Sequence, residues 1–237
     1  MLPEDVRVAE ERNLPDRRST LHPGSIRCSS VKRLIDIVVA IALITITAPL
    51  WLVAACRVKC HDGGPIFYRA PRVGREGRPF VMHKFRTMVL DADKAGASST
   101  SSDDPRITSA GRWMRRWKID ELPQLIDVLS GEMSIVGPRP QVQWAVDRYS
   151  PEERKVLAVR PGITDWASIV FSNEAEILQG HPDPDEAYMR LIHPTKMRLA
   201  IRYVERPTLW TDLRILWGTA AAILGRRPDP EQILGRQ

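Results

Sequence analysis

Two adjacent carboxylates, Asp120 and Glu121, lie in the run KIDELPQLIDVLSG, just ahead of Pro123. Proline is tolerated near a helix start and glycine suits a helix end, so the run predicts a helix from Ile119 or Asp120, capped at Gly131. The pair then sits at a helix N-terminus, where partial positive charge and free N–H groups stabilise carboxylates and help to hold a phosphate. A plainly capped helix shows the same acidic pair, so the dyad alone assigns no reaction. Phosphate-type cations accompany it: Lys84 and Arg86 in HKFRTM, Arg115 before the pair, Arg139 in GPRP and Arg160 in VRPGIT. Pro138 and Pro140 fix the backbone on both sides of Arg139, which preorganises a guanidinium for bidentate contact with phosphate; a structural turn explains the motif equally.

The elements that must position these groups follow from local pattern. The chain has 237 residues, a net charge of +6, 43% hydrophobic residues and three cysteines, Cys28, Cys56 and Cys60. This suits one domain with extensions and excludes a disulfide-built miniprotein and a disordered polyelectrolyte. The cysteines lack CxxC spacing and read as reduced and structural. A mean hydropathy of −0.25 excludes a multi-span membrane protein. A sequence pI of about 9.5 admits nucleic acid, anionic lipid or a phosphorylated substrate as partner.

Residues 1–30 mix charges with prolines and read as a tail without a signal peptide. From Ile37 to Cys56 the sequence carries no charge for 20 residues, close to the roughly 20 that cross a hydrocarbon core. A core helix would need burial on every side, so membrane insertion is the better reading. Lys32 and Arg33 precede the segment, and Arg57 and Lys59 follow it. Basic flanks at both ends favour a hairpin that returns to its side of entry, broken at Pro49, with Thr45 and Thr47 satisfying carbonyls near the kink; a simple kinked span is the alternative.

Beyond Cys60 the runs IFYRAPRVG and RPFVMHKFRTM, separated by Arg75–Gly77, predict a β-hairpin. GASSTSSDD reads as a mobile loop, and helical signals dominate to the end. Trp113, Met114 and Trp117, alternating with Arg112, Arg115, Arg116 and Lys118, suit a helix against phospholipid headgroups or ordinary core packing. Trp210, Leu213, Trp217, Ala220, Ala221 and Leu224 share a helical face that is either interfacial or packed on the body. HPDPDE, at 181–186, reads as a surface loop rather than a metal site.

These segments together carry a resemblance. KRLIDIVVAIALITITAPLWLVAA, GPIFYRAPRVGREGRPFVMHKFRTM, DPRITSAGRWMRRWKIDELPQLIDVLSGEMSIVGPRP and RPGITDWASI, in order over residues 31–169, resemble the bacterial sugar transferases, the monotopic phosphoglycosyl transferases. The resemblance implies transfer of a sugar-1-phosphate from a UDP-sugar to a polyprenyl phosphate, with release of UMP, at the cytoplasmic face of the bacterial inner membrane. It implies Asp120 as nucleophile forming a phosphosugar-aspartate, Glu121 in metal binding or proton handling, and Mg2+ held by Asp120 and Glu121. Lys84, Arg86, Arg115 and Arg139 become candidates for holding the diphosphate or the lipid phosphate. Membrane lipids are expected partners, nucleic acid is not, and a second copy of the chain or other glycan-assembly enzymes are further partners the reading admits.

The expected fold is α+β and mostly helical: a re-entrant helix-break-helix anchor (31–59), a small cytosolic catalytic domain with a β-hairpin (60–208), a C-terminal amphipathic helix (209–226) and a tail (227–237). Without the multi-span N-terminal region of larger members, the chain reads as a minimal catalytic unit. It departs from the family at Ala48, where Ser often precedes the proline, at VFSNEAEIL in place of an Asn-Gly-Arg continuation, and at Ala200, where many have Asp. The rival from another class is a catalytically silent, membrane-anchored scaffold. Neither the sugar nor the polyprenol is legible.

Overall fold

The structure, a computed structural model, describes residues 23–92, 100–226 and 228–234, with side chains from Ser30 onward. It divides into residues 1–35 and residues 36–237. Most of the expected N-terminal tail, the side chain of Cys28, residues 93–99 of the Ser-rich stretch, Arg227 and residues 235–237 lie outside the described residues.

The apolar run is the middle of one helix, α1 (Pro23–Asp62), long and apolar enough to cross a membrane. Only 11% of its most apolar window is buried, so α1 is no core helix. The expected break at Pro49 does not divide it: the residues on both sides of the proline are helical. Proline removes one backbone donor, and one lost bond need not end a helix whose neighbouring turns are intact. The Thr45 and Thr47 hydroxyls donate to the carbonyls of Ile41 (2.9 Å) and Leu43 (2.6 Å), one turn earlier.

From Asp36 onward one stripe of α1 docks on the globular body. Asp36 is buried and accepts from the Ser134 hydroxyl (2.8 Å) and the Ile135 N–H (3.1 Å). Ala40 packs in a cluster with Leu125, Val128, Met133 and Ile135. Nearer the C-terminus, Ala54 and Val58 pack with Phe85, Met114 and Ile119, and Trp51 meets Phe85 edge-on at 5.5 Å. Val38, Ile41, Ile46 and Leu52 are exposed. Cys56 and Cys60 carry free thiols and are exposed on α1, not packed in a core as their structural reading required.

The hairpin is as expected: β1 (Phe67–Val73) and β2 (Pro79–Phe85) pair antiparallel, with Tyr68 opposite Lys84 and a 3-10 turn at Arg75–Gly77. Alternation along β2 buries Phe80 and Met82 on one face, while Phe85, on the other, is buried in a separate cluster with Ala54 and Val58. The chain leaving β2 packs against α2 (Ser109–Arg116), whose N-cap hydroxyl, on Thr108, accepts from the Gly111 N–H at 2.9 Å. Met114 is buried in α2, Trp113 is half-buried under the Arg57 guanidinium (4.8 Å), and Trp117 is exposed. The stripe therefore divides between core and surface.

Two elements differ from expectation. Ile119–Glu121 forms a separate 3-10 turn, and the α-helix, α3 (Gln124–Ser130), begins only after Pro123 and ends at Gly131 (φ 95°). Asp120 and Glu121 thus precede the helix they were expected to open. The stretch where helical signals dominate also contains a parallel two-stranded ladder, β3 (Ser134–Val136) with β4 (Gly162–Thr164). Three-residue strands are too short for periodicity to reveal.

The remaining helices are α4 (Gln143–Asp147), α5 (Trp166–Val170), α6 (Glu174–Ile177), α7 (Pro184–Leu191), α8 (His193–Glu205), α9 (Leu209–Ile223) and α10 (Pro230–Leu234). HPDPDE is a capping segment: Asp183 accepts from the N–H groups of Asp185 and Glu186 at the start of α7. In α9, Asp212 and Ile215 are buried, while Trp210, Leu213, Trp217 and Leu224 stay exposed. The predicted apolar face is therefore the one the body leaves uncovered.

The contact between the strand exit and α2 allows a direct test. A Cβ on Gly111 would lie 2.0 Å from the Thr87 carbonyl oxygen, a backbone atom that cannot swing aside. Gly111→Ala is expected to lower stability by about 1–3 kcal/mol, the usual range for overpacking, read as a lower Tm in detergent.

Candidate active site

Three loops bring the sequence-predicted groups together. Lys118, in the left-handed region (φ 57°), turns the chain from α2 into the dyad turn, and the Glu121 N–H bonds its carbonyl at 3.2 Å. β2 brings Lys84 to the same place, and the Gly-Pro-Arg-Pro segment after β3 brings Arg139. The Arg139 guanidinium meets Glu121 with two parallel hydrogen bonds, Nη1 to Oε2 at 2.8 Å and Nη2 to Oε1 at 2.7 Å, and Nη1 also donates to the Ile163 carbonyl at 2.7 Å. Lys84 Nζ lies 3.6 Å from Glu121 Oε1. The motif expected to grip phosphate thus grips a carboxylate of the dyad.

Backbone contacts fix the loop that carries Arg139. The Arg139 N–H bonds Asp165 Oδ2 at 3.3 Å, and Asp165 Oδ1 caps α5 through the Ser168 N–H at 2.7 Å. Gly137 and Gly162 approach so closely that a Cβ on Gly162 would lie 2.1 Å from the Gly137 nitrogen. Arg115 is aimed by its Nε bond to Thr87 Oγ1 at 2.9 Å.

Asp120 differs from its neighbour. It is buried, its Oδ1 is sealed without a hydrogen-bond partner, and no described side chain forms an ion pair with it within bonding distance. Burial pushes its carboxyl above the usual range, against the positive fields of Lys84, Arg115 and Lys118 and with that of Glu121. Burial also works against the Glu121 charge, but Arg139 and Lys84 overcome it and hold Glu121 well below the ordinary glutamate range. Lys84 and Arg115 are themselves pushed down by burial. Two adjacent carboxylates whose environments drive them apart are suited to different tasks.

Two predicted cations stand elsewhere. Arg86 is buried and committed to Asp62, with Nη1 on Oδ2 at 2.6 Å and Nη2 on Oδ1, and to the Pro65 carbonyl at 2.8 Å. Arg160 donates to the Gly131 carbonyl at 3.0 Å behind α3. Sequence reasoning missed Lys118 as a dyad cation, Thr87, Asp165, Gln124, the His83–Asp127 pair (2.6 Å) and the Lys196–Glu174 pair (2.9 Å). All of these but Lys196 stood inside quoted segments, where neighbouring residue types gave no sign of the partners that the fold brings to them.

A magnesium ion fits this donor set in the mode that uses one or two carboxylates and completes its shell with substrate phosphates. Asp120 offers a carboxylate outside any ion pair, whereas both Glu121 oxygens are taken by Arg139. Among the described residues no three metal-ligating side chains gather.

The ion pair has a pH signature. A carboxylate depressed by its partners contributes stability that is present above its unfolded value, about 4.3, and lost as the pH falls through the lower folded value. Arg139→Ala leaves Glu121 with only the looser Lys84 contact and is expected to cost about 3 kcal/mol near pH 7. The deficit against wild type should shrink as the pH is lowered toward about 3, where protonation relieves the stranded charge, read as Tm across pH. Arg139→Lys should restore little, because an ammonium cannot reproduce the two-pronged contact.

Residues 27–226 match the family model described as bacterial sugar transferase. The chain is 34% identical over 197 residues to a UDP-N-acetylgalactosamine-undecaprenyl-phosphate N-acetylgalactosaminephosphotransferase of Aeromonas hydrophila, covering 82% of this chain and 44% of that protein. It is 34% identical over 211 residues to an undecaprenyl-phosphate galactose phosphotransferase of Salmonella typhimurium, covering 83% and 41%. It is 35% identical over 212 residues to a UDP-glucose:undecaprenyl-phosphate glucose-1-phosphate transferase of Caulobacter vibrioides, covering 86% and 75%. The chain spans less than half the length of the Aeromonas and Salmonella relatives. With the match running through α1, the hairpin, the dyad and the Arg139 loop alike, this chain belongs to the bacterial sugar transferase family.

Proposed function

We propose that this chain is a phosphoglycosyl transferase that moves a sugar-1-phosphate from a UDP-sugar to a polyprenyl phosphate, releases UMP and begins a glycan on a lipid carrier. The observation that carries the reading is the division within the dyad: Glu121 is locked in an ion pair with Arg139, while Asp120 is left unpaired in the positive fields of Lys84 and Arg115. The names of the relatives give undecaprenyl phosphate as their acceptor and three different sugars at near-equal identity, so the reading extends to the reaction and not to the sugar.

In this scheme an Asp120 carboxylate oxygen attacks the sugar-bearing phosphorus of the donor. The bond from that phosphorus to the bridging oxygen breaks, and the oxygen leaves on UMP. An oxygen of polyprenyl phosphate then attacks the same phosphorus and displaces Asp120, giving the lipid diphosphosugar and restoring the carboxylate. Phosphoryl transfer depends mainly on positioning and charge stabilisation, and Lys84 and Arg115, whose charges act on Asp120, supply positive charge to the site. Magnesium, when bound by Asp120 with the donor phosphates, supplies further neutralisation of the diphosphate. Glu121 keeps Arg139 and Lys84 oriented through their ion pairs.

The anchor is re-entrant in this reading. Asp36 and Ala40 near one end of the apolar stretch, and Ala54 and Val58 near the other, pack on the same globular body. A span that carried its ends to opposite membrane faces would break one of these contacts. The exposed apolar surface of α1, with that of α9, would enter the cytoplasmic leaflet, where a soluble UDP-sugar and a lipid phosphate can meet.

Two measurements test this. Detergent-solubilised protein with magnesium, undecaprenyl phosphate and a panel of UDP-sugars is expected to release UMP from at least one donor, with Asp120→Asn slower by about a thousandfold or more and Lys84→Ala by about a hundredfold. Release of UDP would mean glycosyl transfer and overturn the mechanism, and no release from any donor would favour the silent scaffold. In a chain whose native cysteines are replaced by serine, Lys32→Cys and Lys59→Cys are expected to label from the same side of sealed vesicles; labelling from opposite sides would overturn the re-entrant anchor.

A further inference from the structure

Every buried side-chain polar atom without a hydrogen-bond partner among the described residues belongs to one of two residues: Asp120, through Oδ1, and Gln124, through both Nε2 and Oε1. Gln124 opens α3 and is fully buried, at 0% exposure. It stands four positions after Asp120, across the turn Ile119–Glu121 and Pro123. Side chains four apart in helical backbone are neighbours. A buried amide left without partners costs about 1–3 kcal/mol for each unsatisfied group, and an apolar side chain of the same volume avoids that cost. Of the other buried positions of α3, Leu125 and Val128 are apolar, and the polar Asp127 is partnered by His83. An amide at position 124 therefore works against stability, four positions from the carboxylate whose Oδ1 also lacks a partner.

We propose that Gln124 is a positioning residue for Asp120: its Nε2 amide donates to the sealed Oδ1 as the site engages its substrate and fixes the carboxylate so that Oδ2 faces the phosphorus. Being fully buried, Gln124 acts from beneath the carboxylate and does not touch the donor. The amide is neutral, so it orients the carboxylate without adding a second ionic partner of the kind that holds Glu121. With one oxygen held, the other samples fewer orientations before attack, and such misplacement governs rate more than binding. This role rests on the phosphoglycosyl reading above.

The test pairs stability with a single-turnover rate in Gln124→Met and Gln124→Leu, which keep similar volume and remove the amide. Both variants are expected to have a Tm equal to or above wild type. With UDP-sugar alone and no lipid acceptor, their single-turnover UMP release should slow by about ten- to a hundredfold. The donor concentration for half-maximal rate should stay within about twofold of wild type, since ground-state binding is untouched. A Tm that falls together with the rate would make Gln124 a structural residue and overturn the proposal, and so would rates equal to wild type. Wild-type protein that releases no UMP from any donor would overturn the phosphoglycosyl reading itself, a failure distinct from that of an active wild type with unaffected variants.

Discussion

The guanidinium of Arg139 closes on the carboxylate of Glu121 through two hydrogen bonds, and this contact joins the halves of the site. One partner rides on the turn between α2 and α3, the other on the loop between β3 and α4, and neither loop has enough regular structure to hold its position alone. Bidentate geometry fixes both distance and plane, which a single ion pair would not do. The contact is half-buried, so the field that stabilises Glu121 is weakly screened, and the charge it keeps on Glu121 acts in turn on the adjacent Asp120 and raises its carboxyl. The differentiation of two neighbouring carboxylates follows from one salt bridge given to one of them.

That junction needs a floor, which is built from unlike parts. The close approach of Gly137 and Gly162 draws β3 and β4 together beneath the Arg139 loop, and Asp165 ties the Arg139 N–H to the start of α5. On the other side Thr87 meets the N-cap of α2 and aims Arg115. Asp36 reaches from α1 to β3, so the apolar helix is bonded to the strand that leads directly into the Gly-Pro-Arg-Pro segment. The docking of α1 and the placement of Arg139 are thereby mechanically linked.

Arg86 shows how a motif can be right as a marker and misleading as a role. It lies two residues from Lys84 and matches the same basic pattern, yet it is consumed by Asp62 and the Pro65 carbonyl at the exit from α1. Its effect on the site is to fix the junction between the helix and β1. Alternation along β2 sends the side chains of Lys84 and Arg86 to the same face, but the strand ends at Phe85, and beyond a strand end alternation no longer fixes direction.

Sequence alone determined the features set by local physics: the uncharged stretch, the hairpin with its turn, the cap at Gly131, the apolar face of α9 and the acidic pair among phosphate-type cations. Each depends on residues within a few positions of one another, so periodicity and turn chemistry report them. The tertiary structure alone decided that α1 continues through Pro49, that Asp120 and Glu121 precede α3, that β3 pairs with β4, and that Arg139 faces Glu121. It also decided that Gln124, unremarked within DELPQL, is sealed without a hydrogen-bond partner, as Oδ1 of Asp120 is. These outcomes depend on groups tens of residues apart competing for the same buried space, and the energy of a buried charge or amide is set by the partners that arrive there.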